Sequence, residues 1–137
     1  MPDFGKYTKE LKKLIEEADH ILLICHINPD GDAAGAMLAL RCWIKSQGKI
    51  PEMISPNAMQ KFLLWMNDVD KIIDFHHNAE TGTRIINEAD LIIMVDFNSS
   101  QRMGKAEQLV VASKARKVMI DHHPDPDKLA DLVISDV

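Results

Sequence analysis

The sequence predicts an α/β fold, a mainly parallel β-sheet with helices on both faces, from two kinds of observation. The runs HILLIC (20–25), LIIMV (91–95) and KVMI (117–120) are short, continuous and apolar. That is the signature of strands buried on both sides. Between them lie stretches with helical apolar spacing, and strands alternating with helices argue for parallel crossovers. The 137 residues, 46% hydrophobic and 27% charged, are enough for one domain with a real core.

The elements follow in order. From Lys6 to Ala18 the residues Tyr7, Leu11, Leu14 and Ile15 recur at three- and four-residue spacing, an amphipathic helix whose KELKKLIEE face is solvated. HILLIC is the first strand. Asp32 opens a second helix through about Ser46, as its N-cap, and Gly48 ends it. KIPEMI (49–54) is the second strand, and residues 56–67 read as a third helix carrying Phe62, Leu63, Trp65 and Met66. A short strand over 71–75, a helix over 81–88, LIIMV, a helix over 105–113, KVMI and a last apolar piece, LVIS (132–135), complete the pass. No repeat or linker interrupts it. The chain stops two residues after LVIS, so the final strand is expected to be an edge, or to be followed by something more.

Composition narrows the function. With 21 acidic and 16 basic residues the net charge is -5, and no basic patch suggests a grip on long nucleic acid. Cys25 and Cys42 form no CxxC or disulfide framework and read as small buried hydrophobes. The eight methionines, Trp43 and Trp65 read as core fillers. The N-terminus has no apolar signal region and no stretch approaches 18 apolar residues, so a cytoplasmic protein without a membrane span is expected.

Three polar clusters share one placement. His26, Asp30 and Asp32 follow HILLIC, Asp96 follows LIIMV, and Asp121, His122 and His123 follow KVMI. In an open parallel sheet the loops at the carboxyl ends of the strands line one edge, so the three clusters should converge. Carboxylates with imidazoles, and no thiolate, suit Mn²⁺, Mg²⁺, Fe²⁺ or Zn²⁺ rather than a structural Cys-rich site. His26, Asp30, Asp32, Asp96 and His122 exceed the needs of one tetrahedral ion. A central carboxylate such as Asp96 can bridge two cations, the arrangement used for in-line phosphoryl displacement. Any one of these acids alone would read as a cap or turn residue.

The motifs carry a resemblance. HINPDGDAAG (26–35) resembles the first motif of the DHH phosphoesterase superfamily: His, three residues, Asp, one residue, Asp. Asp96 at the end of an apolar strand resembles the second motif, and Asp121-His122-His123 is the tripeptide that names the family. The match spans nearly the whole chain in the family's order, and the NPDGDA form is most similar to the oligoribonuclease and phosphoadenosine-phosphate phosphatase branch. The resemblance implies the Rossmann-like DHH domain, two Mn²⁺ ions (Mg²⁺ or Co²⁺ as substitutes) and a metal-bridging hydroxide as nucleophile. It implies that His26 and Asp30 bind the first metal, Asp32 and His122 the second, and that Asp96 bridges them. Asp121 is then an orienter of the ligand set, and His123 faces the substrate phosphate. Asn28 and Arg102, the latter six residues after Asp96, are candidate substrate contacts. The expected substrate is a small phosphorylated molecule: a nucleotide, a short oligonucleotide or polyphosphate.

Two departures qualify the resemblance. The family's fourth motif is an Asp some tens of residues beyond DHH, and Asp125, Asp127, Asp131 and Asp136 all stand too close to match it. The smaller C-terminal domain, often of the DHHA1 type, is also lacking. Residues 1–137 are therefore expected to be a partial catalytic domain with one impaired metal position and little turnover. Alternatives are a phosphoanhydride hydrolase of the exopolyphosphatase or pyrophosphatase kind, a non-catalytic DHH binding module or, remotely, a receiver-like signalling domain. A receiver domain places an acidic pair immediately after its first strand and a Lys after its last, whereas this sequence has the His-containing NPDGD loop and no suitable strand-end Lys. His76 and His77 also follow an apolar run but match no motif, and read as surface residues. An exposed edge after LVIS admits a homodimer.

Overall fold

Six strands lie parallel in one sheet, in the order β3-β2-β1-β4-β5-β6. The computed structural model describes residues 4–135. The strands are β1 (Ile21–Ile24), β2 (Glu52–Ser55), β3 (Ile72–Asp74), β4 (Leu91–Val95), β5 (Arg116–Asp121) and β6 (Leu132–Ser135). The helices are α1 (Phe4–Glu17), α2 (Gly31–Ser46), α3 (Ala79–Glu88) and the short α4 (Glu107–Ala112). The predicted α/β class, with a parallel sheet between helical layers, is the observed one. β6 is an edge strand, hydrogen-bonded to β5 from Val118 opposite Leu132 to Asp121 opposite Ser135.

Two cores form because successive residues of a strand point to opposite faces. On one face Ile21, Leu23, Cys25, Met53, Ile93, Val95 and Val118 meet Leu11 and Ile15 of α1 and Met37 and Ile44 of α2. On the other, Leu22, Ile24, Ile54, Ile92, Met94 and Met119 meet Ile85 and Ile86 of α3, Val110 of α4, and Phe75, Phe97 and Met103. Continuous apolar runs are therefore required wherever a strand is central. Each such Leu or Ile contributes roughly 1.5–3 kcal/mol by leaving water.

Several local expectations are corrected. The N-cap of α2 is Asp30 rather than Asp32: its side chain accepts from the Ala33 N–H at 2.9 Å, and the helix starts at Gly31. At its other end Gly48, at φ 87, takes the left-handed conformation that glycine adopts freely. The predicted helix over 56–67 is absent. Only a single 3-10 turn, Lys61–Leu63, forms there, and Asp68 closes the segment in a left-handed conformation with φ 65. Its apolar residues are nearly contiguous and do not make one helical stripe, so Leu63 is buried while Phe62, Leu64 and Trp65 are exposed. Trp65, 79% exposed, is thus no core filler, whereas Trp43 packs against the first core. The expected helix over 105–113 shortens to α4, because the preceding 3-10 stretch Ser100–Ala106 breaks its path at Gly104. Cys25 is buried, but Cys42 is exposed; both are free. Burial pushes the Cys25 thiol up to about 12, so it stays protonated and inert.

Gly82 in α3 is a close-approach position. A Cβ built there would lie 2.5 Å from Cδ2 of the Phe75 ring. Elsewhere in a helix, Gly to Ala stabilises by about 1 kcal/mol; here the overlap reverses the sign. Gly82→Ala is expected to lower unfolding free energy by about 1–3 kcal/mol in urea titration.

Candidate metal centre

The strand order reverses between β1 and β4, which are direct neighbours: β2 and β3 continue one way, β5 and β6 the other. The loops leaving the carboxyl ends of β1 and β4 therefore diverge and open a crevice, the usual ligand position in a doubly wound sheet. His26 enters it two residues after β1, Asp96 one residue after β4, and Asp121, His122 and His123 at the end of β5.

Two groups of candidate metal-ligating side chains form there and share one member. His26, Asp30 and Asp96 make one; Asp96, Asp121, His122 and His123 make the other. Asp96, only 8% exposed, stands between them. Its Oδ2 lies 3.5 Å from His26 Nε2, and its Oδ1 lies 2.9 Å from His122 Nε2. Asp30 Oδ1 lies 3.7 Å from the same His26 Nε2. One carboxylate thus shows a separate oxygen to each of two imidazoles, as a bridging ligand must.

The backbone prepares these groups. Asp96 sits at φ 64, a left-handed conformation that Asp tolerates better than most residues, and its N–H donates to the Ile120 carbonyl at 3.0 Å. His26 Nδ1 lies 2.7 Å from the Ile27 carbonyl. A carbonyl can only accept, so Nδ1 carries a proton; in the neutral ring that leaves the Nε2 lone pair toward Asp96 and Asp30. That is the tautomer a metal-binding histidine needs. The Ala33 N–H, and secondarily the nearby His26, hold the Asp30 carboxyl below the usual carboxylate range despite the opposing effect of desolvation. Asp30 therefore stays ionised, and its stabilisation of the start of α2 is present above the ordinary carboxylate pKa and lost as pH falls through the lowered value.

Asp121 is spent within the protein. Its Oδ1 meets His123 Nδ1 at 2.6 Å and its Oδ2 accepts from the His123 N–H at 3.0 Å. The carboxylate fixes the tautomer of His123 and leaves its Nε2 outward. The rings of His122 and His123 lie 4.4 Å apart. Asp32, exposed in the first turn of α2, joins neither group among the described residues.

Loop-to-loop bonds hold the clusters in register. The Ile27 N–H donates to the Arg102 carbonyl at 2.6 Å, so Arg102 borders the loop after β1 while its side chain is exposed. Asp127 accepts from the Ser100 N–H at 2.8 Å and donates its own N–H to the Asn98 carbonyl at 2.7 Å, while Asn98 donates its amide to the Pro124 carbonyl. Asp131 similarly accepts from the Lys117 N–H. Asp125, Asp127 and Asp131 join neither cluster, and Asp136 lies outside the described residues. Asn28 bonds to Asn57 on the loop after β2. Sequence reasoning passed over Asn57 because its segment read as helix; the preceding Pro56 was the available turn signal. His76 and His77 are exposed and join neither group, with His77 Nδ1 held 2.5 Å from Asp74 Oδ2.

The donor set fits divalent cations. Ligand atoms about 2.0–2.2 Å from one ion stand roughly 3–4 Å from each other, and the His26, Asp30 and Asp96 atoms are 3.5 and 3.7 Å apart. Among the described residues no helix is long and apolar enough to cross a membrane.

Known proteins resemble this chain in sequence and fold. The chain is 30% identical over 125 residues to the bifunctional oligoribonuclease and PAP phosphatase NrnA of Mycoplasma genitalium, covering 91% of this chain and 36% of that protein. It is 26% identical over 124 residues to the protein of the same name from Bacillus subtilis, again covering 90% of this chain and 36% of the relative. The chain thus spans about a third of the length of these relatives. The crystal structure of an exopolyphosphatase-related protein from Bacteroides fragilis superposes with a TM-score of 0.92 at 38% identity, over 96% of this chain and 38% of that one. The family model described as "DHH family, N-terminal domain" matches residues 20–136, which takes in every cluster of the crevice, and the chain belongs to that family.

Proposed function

We propose that this chain carries the metal-binding half of a manganese-dependent phosphoesterase that hydrolyses short oligonucleotides or nucleotide phosphates such as phosphoadenosine phosphate. The single observation that carries the reading is Asp96, whose two carboxylate oxygens face two different histidines. His26 and Asp30 would hold one ion, His122 with Asp32 the other, and Asp96 both. Divalent cations at these positions supply Lewis acidity toward a phosphoryl oxygen and acidify water for attack on phosphorus.

The residues divide the remaining work. Asp30 stays ionised under the Ala33 N–H, and the neutral His26 ring would offer its Nε2 lone pair. Asp121 orients His123 through Nδ1, and in the imidazolium form the Nε2–H would donate to a phosphoryl oxygen as charge builds there. Asn28 and Arg102, on loops joined by the bond from Ile27 to Arg102, offer further donors to substrate phosphate. A net charge of -5 favours small, metal-neutralised substrates over long nucleic acid.

Calorimetric titration with Mn²⁺ tests the centre: two ions per chain are expected, one held more weakly for want of the fourth-motif Asp, and a single site or none would overturn the dinuclear reading. Hydrolysis of phosphoadenosine phosphate and a diribonucleotide, measured beside pyrophosphate and polyphosphate, tests the substrate. The likeness to the exopolyphosphatase-related structure favours a second reading, phosphoanhydride hydrolysis, and turnover of polyphosphate alone would select it.

A further inference from the structure

The loop between His26 and Asp30 holds a second device, an interlocked pair of side-chain amides whose orientation follows from one backbone bond. The Asn28 N–H donates to the Asn57 side chain at 2.7 Å. A backbone N–H can only donate, so the Asn57 atom facing it is Oδ1. The Asn57 Nδ2 is then the atom 2.7 Å from the Asn28 side chain. An NH₂ group can only donate in turn, so it faces Asn28 Oδ1. Neither assignment depends on telling nitrogen from oxygen in the amides themselves. Asn28 Oδ1 is thus turned toward Asn57, and the Asn28 Nδ2, with two N–H donors, points the other way.

Asn57 is itself anchored. The buried Ser55, at the carboxyl end of β2, donates its hydroxyl to the Asn57 carbonyl at 2.6 Å. Its own carbonyl accepts from the Phe75 N–H at 2.9 Å. Gln60 adds a tie from the same segment, donating to the Pro29 carbonyl at 3.2 Å. Asn28 sits at φ 52, a left-handed conformation that Asn tolerates. A free Asn at this position would rotate between two amide orientations. One of them would turn a carbonyl oxygen, repulsive to phosphate and attractive to cations, toward a loop flanked by two candidate metal ligands.

We propose that Asn57 is a positioning residue that locks the Asn28 amide with its oxygen toward Asn57, so that Asn28 presents its N–H donors on the opposite side and recognises a phosphoryl oxygen of the substrate. The proposal rests on the phosphoesterase reading and deepens it: the loop after β1 binds cations through His26 and Asp30 and an anion through Asn28.

The test uses the full chain, ¹⁵N-labelled, with saturating Mg²⁺ and inorganic phosphate as the probe. In the wild type the Asn28 side-chain NH₂ resonances are expected to shift on phosphate addition. Asn57→Asp keeps the acceptor for the Asn28 N–H but replaces the second donor with an acceptor, so the Asn28 amide must turn over. Phosphate affinity is expected to fall about tenfold, the loss of one hydrogen bond to a charged oxygen. Cation affinity should not fall, since no metal-binding side chain is altered and both the turned amide oxygen and the added carboxylate attract cations. If Asn57→Asp does not fold, Asn28→Asp removes the donor directly while still accepting from Asn57, and the same selective loss is expected. Unchanged phosphate affinity in a folded variant, or an unmoved Asn28 NH₂ in phosphate-saturated wild type, overturns the proposal and leaves the phosphoesterase reading standing. A wild-type chain that binds metal but no phosphate overturns both.

Discussion

Asp96→Asn is expected to abolish both cation sites together while leaving the chain folded. Asn accepts the left-handed φ of 64 that Asp96 occupies, so the backbone is kept and only the negative charge is lost. Asp96→Ala also adds about 1 kcal/mol of backbone strain, because Ala has no local compensation in that conformation. Both variants should titrate no Mn²⁺ where the wild type takes two, and hydrolysis should fall by about 10³-fold or more, the several kcal/mol a bound cation contributes to phosphoryl transfer. Thermal melts report whether the fold survives. A variant that retains one site at wild-type affinity would show that Asp96 serves a single ion and would end the bridging interpretation.

Asp121→Asn should give a contrasting result. Among the described residues the buried Asp121 carboxylate bonds to the backbone N–H and Nδ1 of His123 and to no other group. An amide in its place keeps one acceptor and puts NH₂ donors opposite the other bond, so the His123 ring changes tautomer or swings free. Two Mn²⁺ should still bind. Hydrolysis should fall about 10–100-fold, the usual cost of losing an orienting carboxylate, and stability by about 2 kcal/mol through the weakened buried bonds. Loss of one ion would instead make Asp121 a direct ligand.

Much of this centre was legible because strand ends are easy to read. β4 runs over Leu91–Val95, matching the apolar run, so the placement of Asp96 followed from hydrophobicity alone. The convergence of His26, Asp96 and His122 needed only parallel strands with returning helices. The segment over 56–67 was not legible, since Phe62, Leu64 and Trp65 mimic a buried helical face while remaining exposed. Its conformation is set by partners distant in sequence: Asn28 and Pro29 at one end, and Arg41, which holds Asp68 at 2.8 Å, at the other. Local pattern does not encode such partners. The cap of α2 was misplaced by two residues for a related reason: Asp30 and Asp32 are both good caps, and only the backbone turn decides which side chain reaches Ala33.

That cap has a consequence for cation capture at the proposed centre. Asp30 Oδ1, the oxygen 3.7 Å from His26 Nε2, is the same atom that accepts from Ala33. Folding of α2 therefore immobilises a ligand atom before any cation arrives, so less rotational freedom remains to be lost at the moment of capture. Occupancy and the first helical turn become thermodynamically linked: a bound ion should slow amide exchange at Ala33 and Ala34, and fraying of that turn should weaken the ion's hold.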